Sequence, residues 1–298
     1  MADPAEISFR RWLAYSIEAL FAFPVFWLVR LLPMDLASGL GGWLGRKVGP
    51  RLGVSRRARN NLRHAFPEEN DAGIEAIVDG MWENLGRTIF EYPHLQRLDI
   101  YSGDGRVEVV GVEHIDRMKN DGLPGIFFSG HFANWEVVPQ TVAQRGLPLH
   151  LIYRAANNPL VQRLFDHRRP DGSELLPKGS EGARRAIKLL RDGEHLGMLV
   201  DQKMNDGIPV PFFGRDAMTA PAVAQFALRY GCPVVPIRIE RLDGFRFRVT
   251  HHEPMVLSEG ADRQADILAF MMQINAHLED WIRQRPEQWL WLHRRWPN

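Results

Sequence analysis

Apolar residues are distributed in two different ways along the chain. Residues 12–29, which read WLAYSIEALFAFPVFWLV, are apolar almost without interruption, and Glu18 is their only charged member. After Asp99, short runs rich in β-forming residues alternate with stretches of helical periodicity. The continuous run predicts a membrane-associated N-terminal helix. The alternation predicts an α/β fold, with a mixed, mostly parallel sheet flanked by helices.

The apolar N-terminal run is close to the length that crosses a bilayer. As one helix, residues 12–29 would be about 27 Å long, just short of a hydrocarbon core of about 30 Å. The run lacks a small-residue cleavage site, so we expect it to stay on the protein and not to be removed as a signal peptide. Because a carboxylate such as Glu18 is costly in lipid, a helix that lies in the membrane interface, or is buried, is the alternative to a spanning one.

Basic residues follow this helix. Seven of them lie between positions 46 and 63: Arg46, Lys47, Arg51, Arg56, Arg57, Arg59 and Arg63. If the helix spans, this charge keeps the body of the protein in the cytoplasm, and if it does not, the cluster would lie against anionic headgroups. Gly41, Gly45 and Gly49 have four-residue spacing, which favours close helix packing over a phosphate-binding loop.

The pattern predicts the following order of elements. Strands are expected at 107–110, 125–129, 149–153, 195–201, 234–239 and 245–250. Helices are expected at 53–65, 71–98, 134–145, 181–192, 220–230 and 262–285. We therefore divide the chain into an anchoring helix over 1–33 and a larger domain over 34–298, helical over 34–98 and α/β over 99–298.

Composition argues against several kinds of binding partner and site. The 37 basic and 36 acidic residues leave a formal net charge of +1, so non-specific attraction to nucleic acid is not built in and no nucleic-acid partner is expected. The single cysteine, Cys232, excludes an intramolecular disulfide and a thiolate metal cage.

The segment GIFFSGHFANWE carries the sharpest chemical signal. His131 follows an apolar strand, at the sheet edge where functional groups gather in α/β proteins. Glu136 lies five residues further on and, from the first turn of a helix, could reach back to the imidazole. An imidazole held by a carboxylate is a general base suited to a hydroxyl proton. The alternative is that the two residues only cap a strand–helix junction.

Asp201 has a similar position. It ends the predicted strand that begins at His195, and so falls at the same edge of the sheet. The sequence leaves three roles open for its carboxylate: holding Arg154, positioning a substrate, or forming a buried ion pair. Arg154 ends the strand that begins at Leu149, where its guanidinium could bind a phosphate with two hydrogen bonds.

Several segments together resemble a known family. HFANWE is similar to the H-x-x-x-x-D/E motif of the glycerolipid acyltransferase superfamily, and in this form it resembles the late acyltransferases of bacterial lipid A biosynthesis, the lauroyl and myristoyl transferases. The same resemblance extends over IYRAANNPLVQRL, over LVDQKMNDGIPVPFFGRDAMTAPAVAQFALRYGCPVVPI and over the ending RPEQWLWLHRRW. It covers nearly the whole chain. At Gln202 and Lys203 the chain departs from the family, which more often has another acidic residue nearby.

The resemblance implies transfer of a fatty acyl chain from an acyl thioester, on acyl carrier protein or coenzyme A, to a hydroxyl of a membrane-bound lipid A precursor. His131 and Glu136 would be the catalytic pair, and Arg154, Asn158 and Asp201 would bind substrate. Neither a metal nor a cofactor is required. The resemblance and the basic cluster together imply an inner-membrane enzyme whose catalytic domain faces the cytoplasm.

Three other interpretations stay open at this stage. The acceptor could be a different lipid, such as a phosphatidylinositol mannoside. His131 could activate water, which would make the protein a thioesterase-like hydrolase. The protein could also be a membrane-docked scaffold with no catalytic activity.

Overall fold

The computed structural model describes residues 8–103, 105–166, 170, 172–257 and 260–296. The first seven residues of the predicted anchor and the last two of the larger domain therefore lie outside the described residues. Ten α-helices are found in the described part of the chain: α1 Phe9–Leu31, α2 Met34–Val48, α3 Ser55–Ala65, α4 Asp71–Glu91, α5 Val112–Asn120, α6 Val138–Ala143, α7 Pro159–Phe165, α8 Ser180–Arg191, α9 Ala222–Tyr230 and α10 Arg263–Gln284.

Local sequence explains several helix ends. Asn70 caps α4 because its side chain accepts a hydrogen bond from the Gly73 amide at 2.9 Å. Asp262 caps α10 in the same way, accepting from the amides of Gln264 and Ala265. Gly231 ends α9 in the left-handed conformation, at φ +61°, which glycine adopts without strain.

The first four helices precede the sheet. α2 and α4 pack closely because Gly41 and Gly45 face Gly86. A Cβ on Gly45 would lie 2.1 Å from the Trp82 carbonyl oxygen, and one on Gly86 would lie 2.1 Å from the Gly41 carbonyl oxygen. The four-residue glycine spacing thus serves close helix packing, as the sequence predicts.

The outer face of α1 is apolar and exposed. Leu20 and Leu28 are 69% and 63% exposed, and the other exposed apolar side chains of this helix are Trp12, Leu13, Ile17, Phe21, Val25, Trp27 and Leu31. The surface continues on α2 through Leu36, Leu40 and Trp43. Residues 10–31 are long and apolar enough to cross a membrane by length and composition.

The inner face of α1 is tied to the rest of the protein at two places. Near its start, the Asn158 amide donates to the Tyr15 carbonyl and to the Glu18 carboxylate, each at 3.0 Å. Near its end, Arg30 donates to the Pro93 carbonyl at 2.6 Å, and the His94 ring lies 3.1 Å from the Val29 carbonyl. The helix therefore lies along the domain and does not project from it.

The sheet occupies the second part of the chain. Nine strands are found among the described residues: β1 Val107–Val110, β2 Gly125–Ser129, β3 Leu149–Tyr153, β4 Leu175–Pro177, β5 His195–Leu199, β6 Lys203–Phe212, β7 Arg215–Thr219, β8 Val234–Asp243 and β9 Arg246–His251. Seven of them form one sheet in the order β1-β9-β8-β2-β5-β3-β4, and β6 and β7 form a separate antiparallel pair. Within the large sheet only β8 and β9 are antiparallel.

This architecture confirms the predicted mixed, mostly parallel sheet flanked by helices. The bounds of β1, β2 and β3 agree with the prediction residue for residue. The predicted helix 134–145 is shorter, because residues 135–137 form a 3₁₀ turn before α6. The pattern of apolar residues did not reveal α5, α7, β4 or the β6–β7 pair. The elements α5, α7, β4 and β7 are short, and the first half of β6 is exposed or half-buried.

The hydrophobic core is centred on strand β2, in the middle of the sheet. All five residues of β2 are buried between β8 and β5. Phe128 stacks on Trp281 of α10 with ring centroids 6.3 Å apart. Continuous burial of this kind is typical of a strand in the middle of a parallel sheet. It fixes the position of the loop that follows β2.

Candidate active site

His131 lies where two parallel strands end side by side. β2 and β5 are neighbours, with Ser129 paired to Leu199. The chain leaves β2 through Gly130 to His131, and it leaves β5 through Val200 to Asp201. The carboxyl ends of parallel strands meet at one edge of the sheet, so residues 70 positions apart in sequence come into contact there.

The carboxylate of Asp201 holds His131 by two hydrogen bonds. Oδ1 lies 2.7 Å from the imidazole Nδ1, and Oδ2 accepts the His131 backbone N–H at 2.7 Å. Oδ2 also accepts the indole N–H of Trp289 at 2.8 Å. A Cβ on Gly130 would lie 3.1 Å from Oδ2 and 2.6 Å from the Phe132 ring, so glycine gives the carboxylate room to approach the backbone.

These contacts decide the ionisation of Asp201. Its side chain is fully buried, which alone would raise its pKa. The adjacent His131, through its charge and its hydrogen bonds, outweighs burial and holds the pKa of Asp201 well below its usual range. When the imidazole is neutral, the ionised carboxylate accepts the proton on Nδ1, and Nε2 is left with a lone pair. That tautomer is the one a general base needs.

The turn after His131 is strained and firmly held. Ala133 has φ +43°, a left-handed conformation that costs a non-glycine residue about 1–3 kcal/mol. Its N–H donates to the Gln288 carbonyl at 2.8 Å. Its carbonyl accepts from Asn84 at 3.1 Å and from the Thr88 hydroxyl at 2.9 Å. Helix α4 and the C-terminal segment thus hold this turn from both sides.

A buried ion pair supports the next residue of the turn. Asn134 donates to Oε2 of Glu91 at 2.8 Å, and its own Oδ1 accepts the Glu136 backbone N–H at 3.3 Å. Glu91 pairs with Arg241 through both carboxylate oxygens, and its exposure is zero. Breaking such a pair from one side leaves an unpaired buried charge, which typically costs about 3–5 kcal/mol.

A cavity of about 260 Å³ opens in front of His131. Its apolar lining comes from the central strands and from α6 and includes Phe127, Val138, Leu149, Leu151, Met198 and Ile237. Its polar lining includes His131, Ser129, Glu136, Arg154, Lys178 and Gln202. The hydroxyl of Ser129 is buried and has no hydrogen-bond partner among the described residues. The arrangement joins a base, two cations and an apolar chamber in one cavity.

Of the predicted site residues, four lie at or next to the cavity and Asn158 does not line it. His131, Glu136 and Arg154 line the cavity, and Asp201 lies directly behind His131. Glu136 is buried, and its Oε1 accepts the indole N–H of Trp135 at 3.1 Å. The carboxylate in contact with Nδ1 is that of Asp201. Asn158 is not among the residues that line this cavity: its side chain caps α7 and ties that helix to α1, as described above.

Sequence analysis did not single out Gln202, Lys178 or Trp289 as site residues. Gln202 follows Asp201 directly, and its amide Nε2 lies 3.2 Å from the His131 Nε2. The ammonium of Lys178 donates to the Gln202 Oε1 at 3.2 Å. Partial burial and the positive charge of Arg154 lower the pKa of Lys178. The departure from the family pattern at Gln202 was the one available signal.

The aromatic C-terminal segment packs against His131 and Asp201. Trp289 and Trp291 are fully buried, so the segment packs on the core. The Leu290 N–H donates to the His131 carbonyl at 3.1 Å. His293 contacts the His131 ring, with centroids 4.7 Å apart, and burial together with the charge of His131 lowers its pKa to about 3.

His131, Asp201 and His293 also have ligand atoms within 4.8 Å of one another, as a metal site would require. Both oxygens of Asp201 already accept hydrogen bonds, from His131 and from Trp289. The geometry therefore suits a proton-bonded pair better than a cation ligand.

Comparison with known proteins identifies the family. Residues 7–298 match the family model described as bacterial lipid A biosynthesis acyltransferase. A lipid A biosynthesis acyltransferase of Haemophilus influenzae is 25% identical over 272 residues, which cover 89% of this chain and 83% of that protein. The lipid A biosynthesis lauroyltransferase of Escherichia coli is 28% identical and covers 96% of this chain and 92% of its own.

A lipid enzyme with a different name also matches. The phosphatidylinositol mannoside acyltransferase of Mycobacterium tuberculosis is 26% identical, over 91% of this chain and 88% of its own. Among solved structures, a 1-acyl-sn-glycerophosphate acyltransferase of Thermotoga maritima aligns over 95% of this chain and 100% of its own, with 12% identity and a TM-score of 0.39. Because the family model matches almost the whole chain, the protein belongs to the bacterial lipid A biosynthesis acyltransferase family.

Proposed function

We propose that the protein is a membrane-bound O-acyltransferase that transfers a fatty acyl chain from an acyl thioester to a hydroxyl of a lipid A precursor. The observation that carries the proposal is the oriented imidazole in the lining of a largely apolar cavity. His131 Nδ1 lies 2.7 Å from the Asp201 carboxylate, and His131 Nε2 lies 3.2 Å from the amide nitrogen of Gln202. A base of defined tautomer next to an apolar chamber suits a reaction between a hydroxyl and a fatty acyl group.

The proposed reaction uses His131 twice. Nε2 takes the proton of the acceptor hydroxyl while its oxygen attacks the thioester carbonyl carbon. When the carbon–sulfur bond breaks, the imidazolium returns the proton to the leaving thiolate. Asp201 stabilises the imidazolium that exists between these two steps. The free hydroxyl of Ser129 in the same cavity is available as a hydrogen-bond donor to the carbonyl oxygen.

We assign the orientation of the imidazole to Asp201, because its carboxylate touches Nδ1. Glu136 remains in the proposal as a second carboxylate of the cavity. Its backbone is fixed by Asn134, and its side chain lies beside Trp135, whose ring is 4.9 Å from that of His131. From there Glu136 would stabilise the imidazolium by charge over a longer distance.

The cavity suggests where the substrates bind. The acyl chain would occupy the apolar part, and the exposed Arg154 together with Lys178 would bind a phosphate near its opening. The phosphate belongs in this proposal to the glycolipid acceptor, and the donor is acyl carrier protein or coenzyme A. We give Asn158 a supporting role, because its amide holds α1 to α7.

We propose further that the protein attaches to the cytoplasmic side of the inner membrane without crossing it. The inner face of α1 is hydrogen-bonded to the domain both at Tyr15 and Glu18 and at Val29 and Arg30. A helix across a hydrocarbon core of about 30 Å could not keep both contacts. The exposed apolar side chains of α1 and α2 would enter the interface instead, and the basic residues that follow would meet anionic headgroups.

Two measurements test the proposed reaction. Purified full-length protein in detergent, given an acyl-thioester donor and a lipid A precursor, should produce the precursor with one more ester-linked chain, detected by mass spectrometry. Lipid A from a deletion strain should lack one acyl chain. Parallel reactions with phosphatidylinositol mannoside test the second acceptor, which the similarity to the mycobacterial enzyme favours. Transfer to the mannoside and not to the precursor would reassign the acceptor.

A further inference from the structure

Four polar groups form a continuous hydrogen-bonded chain through the site. Asp201 contacts Nδ1 of His131 at 2.7 Å, Nε2 of His131 lies 3.2 Å from the Gln202 amide nitrogen, and the Gln202 amide oxygen accepts from Lys178 at 3.2 Å. The chain begins at an anion and ends at a cation.

The chemistry of the two ends fixes every proton between them. An ammonium can only donate, so the oxygen of the Gln202 amide must face Lys178 and its NH₂ group must face His131. An ionised carboxylate can only accept, so the proton of the neutral imidazole is on Nδ1. The Nε2 lone pair therefore accepts from Gln202. The opposite orientation of the amide would place its oxygen against that lone pair.

This arrangement occupies the atom that the reaction needs. In the proposed transfer the Nε2 lone pair must accept the proton of the acceptor hydroxyl. In the structure the Gln202 amide already binds that lone pair. The amide must leave before any hydroxyl, whether of a lipid or of water, can be activated.

We propose that Gln202 caps the general base and thereby limits hydrolysis of the acyl thioester while the lipid acceptor is absent. This inference rests on the proposed acyl transfer. A bulky acceptor can displace the amide with binding free energy from its other contacts, whereas a water molecule has no such contacts to use. Lys178 keeps the amide in the capping orientation, and its own position is set by its backbone N–H, which donates to the Tyr153 carbonyl at 2.8 Å.

The two competing reactions differ only in the attacking oxygen. In hydrolysis a water oxygen bonds to the carbonyl carbon, its proton passes to Nε2, the carbon–sulfur bond breaks, and the thiolate takes the proton back. The products are a free fatty acid and the thiol carrier. In transfer the acceptor oxygen takes the place of water, and the product is a lipid ester. The ratio of the two rates measures how well the base is capped.

The experiment compares these rates in Gln202→Ala and wild-type protein, both full length in detergent. Release of free thiol from lauroyl-coenzyme A is measured without acceptor, and ester formation is measured with the lipid A precursor. A hydrogen bond of ordinary strength implies that Gln202→Ala hydrolyses the thioester about three- to tenfold faster than wild type. Transfer should change by less than about threefold, so the ratio of hydrolysis to transfer should rise.

Three further variants separate capping from a structural effect. Gln225→Ala, which replaces an exposed glutamine on α9, should leave both rates unchanged. Gln202→Met, whose side chain has a similar length but cannot donate to Nε2, should also raise hydrolysis. Lys178→Met should raise it less, because the amide remains but loses its anchor.

An unchanged hydrolysis rate in Gln202→Ala, or a parallel fall of hydrolysis and transfer in folded protein, would overturn the capping role. Failure of wild-type protein to acylate any lipid would instead contradict the proposed function. In that case the hydrolysis rates of wild type and Gln202→Ala still decide whether the base is capped.

Discussion

Around His131 the side chains are held by residues from distant parts of the chain, whereas the outer face of α1 and α2 is built from local sequence alone. The imidazole depends on Asp201 behind it, and the turn that follows depends on α4 and on the C-terminal segment. The outer face consists of many apolar side chains that share one property, exposure. We therefore expect single substitutions to have large effects at the site and small, additive ones on the outer face.

The largest effect is expected for the base itself. His131→Ala removes the imidazole that contacts both Asp201 and Gln202, so acyl transfer should fall by about 10²- to 10⁴-fold while the fold persists. Steady-state transfer assays and thermal unfolding of the same preparation check both statements. His64→Ala, on the exposed side of α3, is the control. Wild-type turnover by folded His131→Ala would remove His131 from the mechanism.

A pair of carboxylate variants tests which residue orients the imidazole. Asp201→Asn keeps the shape but can present an amide N–H to Nδ1, which favours the wrong tautomer and should lower turnover by about 10²- to 10³-fold. Glu136→Gln should cost about tenfold or less, because it removes only a more distant charge. The reverse order of the two effects would return the orienting role to Glu136.

These two residues also show what the sequence could and could not predict. The run GIFFS identified the strand and its end from neighbouring residues, and it marked His131 as the candidate base. A carboxylate partner for that base was sought five residues away, because local sequence shows only what lies nearby. The contact with Asp201 depends on β5 lying beside β2, and strand order is a property of the whole sheet.

The same limit applies to the remaining parts of the site. Trp289 lies in the segment WLWLHRRW, whose mixture of aromatic and basic residues suits a membrane interface as well as a packed core. Burial of Trp289 against Asp201 settles it for the core. The apolar run of α1, in contrast, was evident from sequence, because a candidate membrane-associated helix is recognised from its composition and length alone.

The outer face is tested by adding charge to it. Leu20→Lys together with Leu28→Lys should lower binding to anionic vesicles by about tenfold or more. Each leucine that enters the membrane interface contributes about 1.5–3 kcal/mol to binding, and a lysine at the same position would be costly there. Leu123→Lys with Leu242→Lys introduces the same charges at exposed leucines outside α1 and α2 and should not weaken binding. Equal sedimentation of both double variants with vesicles would contradict a membrane role for this face.

The interior is sensitive to pH in a way that the outer face is not. Burial lowers the pKa of His251 and of His293 to about 3, against about 6.5 in an unfolded chain. Between these values the unfolded state binds protons that the folded state does not, so the free energy of unfolding should fall as the pH drops below about 6.5. Each histidine should account for about 1 kcal/mol per pH unit.

Denaturant unfolding in detergent between pH 7 and 5 measures this slope. His251→Gln should reduce the slope by the amount that corresponds to about one proton taken up on unfolding. Glutamine can keep a hydrogen bond to Thr141 without titrating. His64→Gln, at an exposed position, should leave the slope as it is. A slope that is the same in wild type and in His251→Gln would show that His251 does not titrate on unfolding.

The smallest effect is expected at Arg154, which combines properties of both regions because it is exposed yet lines the cavity. A guanidinium that binds a phosphate does so in the ground state and the transition state alike, so Arg154→Ala should raise KM for the lipid acceptor about five- to tenfold with a smaller fall in kcat. Arg154→Lys should recover only part of the affinity, since one point charge replaces two hydrogen bonds. Arg184→Ala, on the exposed side of α8, is the control. Kinetics in which each substrate is varied separately identify the ligand: a defect confined to the acyl donor would assign Arg154 to the carrier, and no defect would leave it a surface residue.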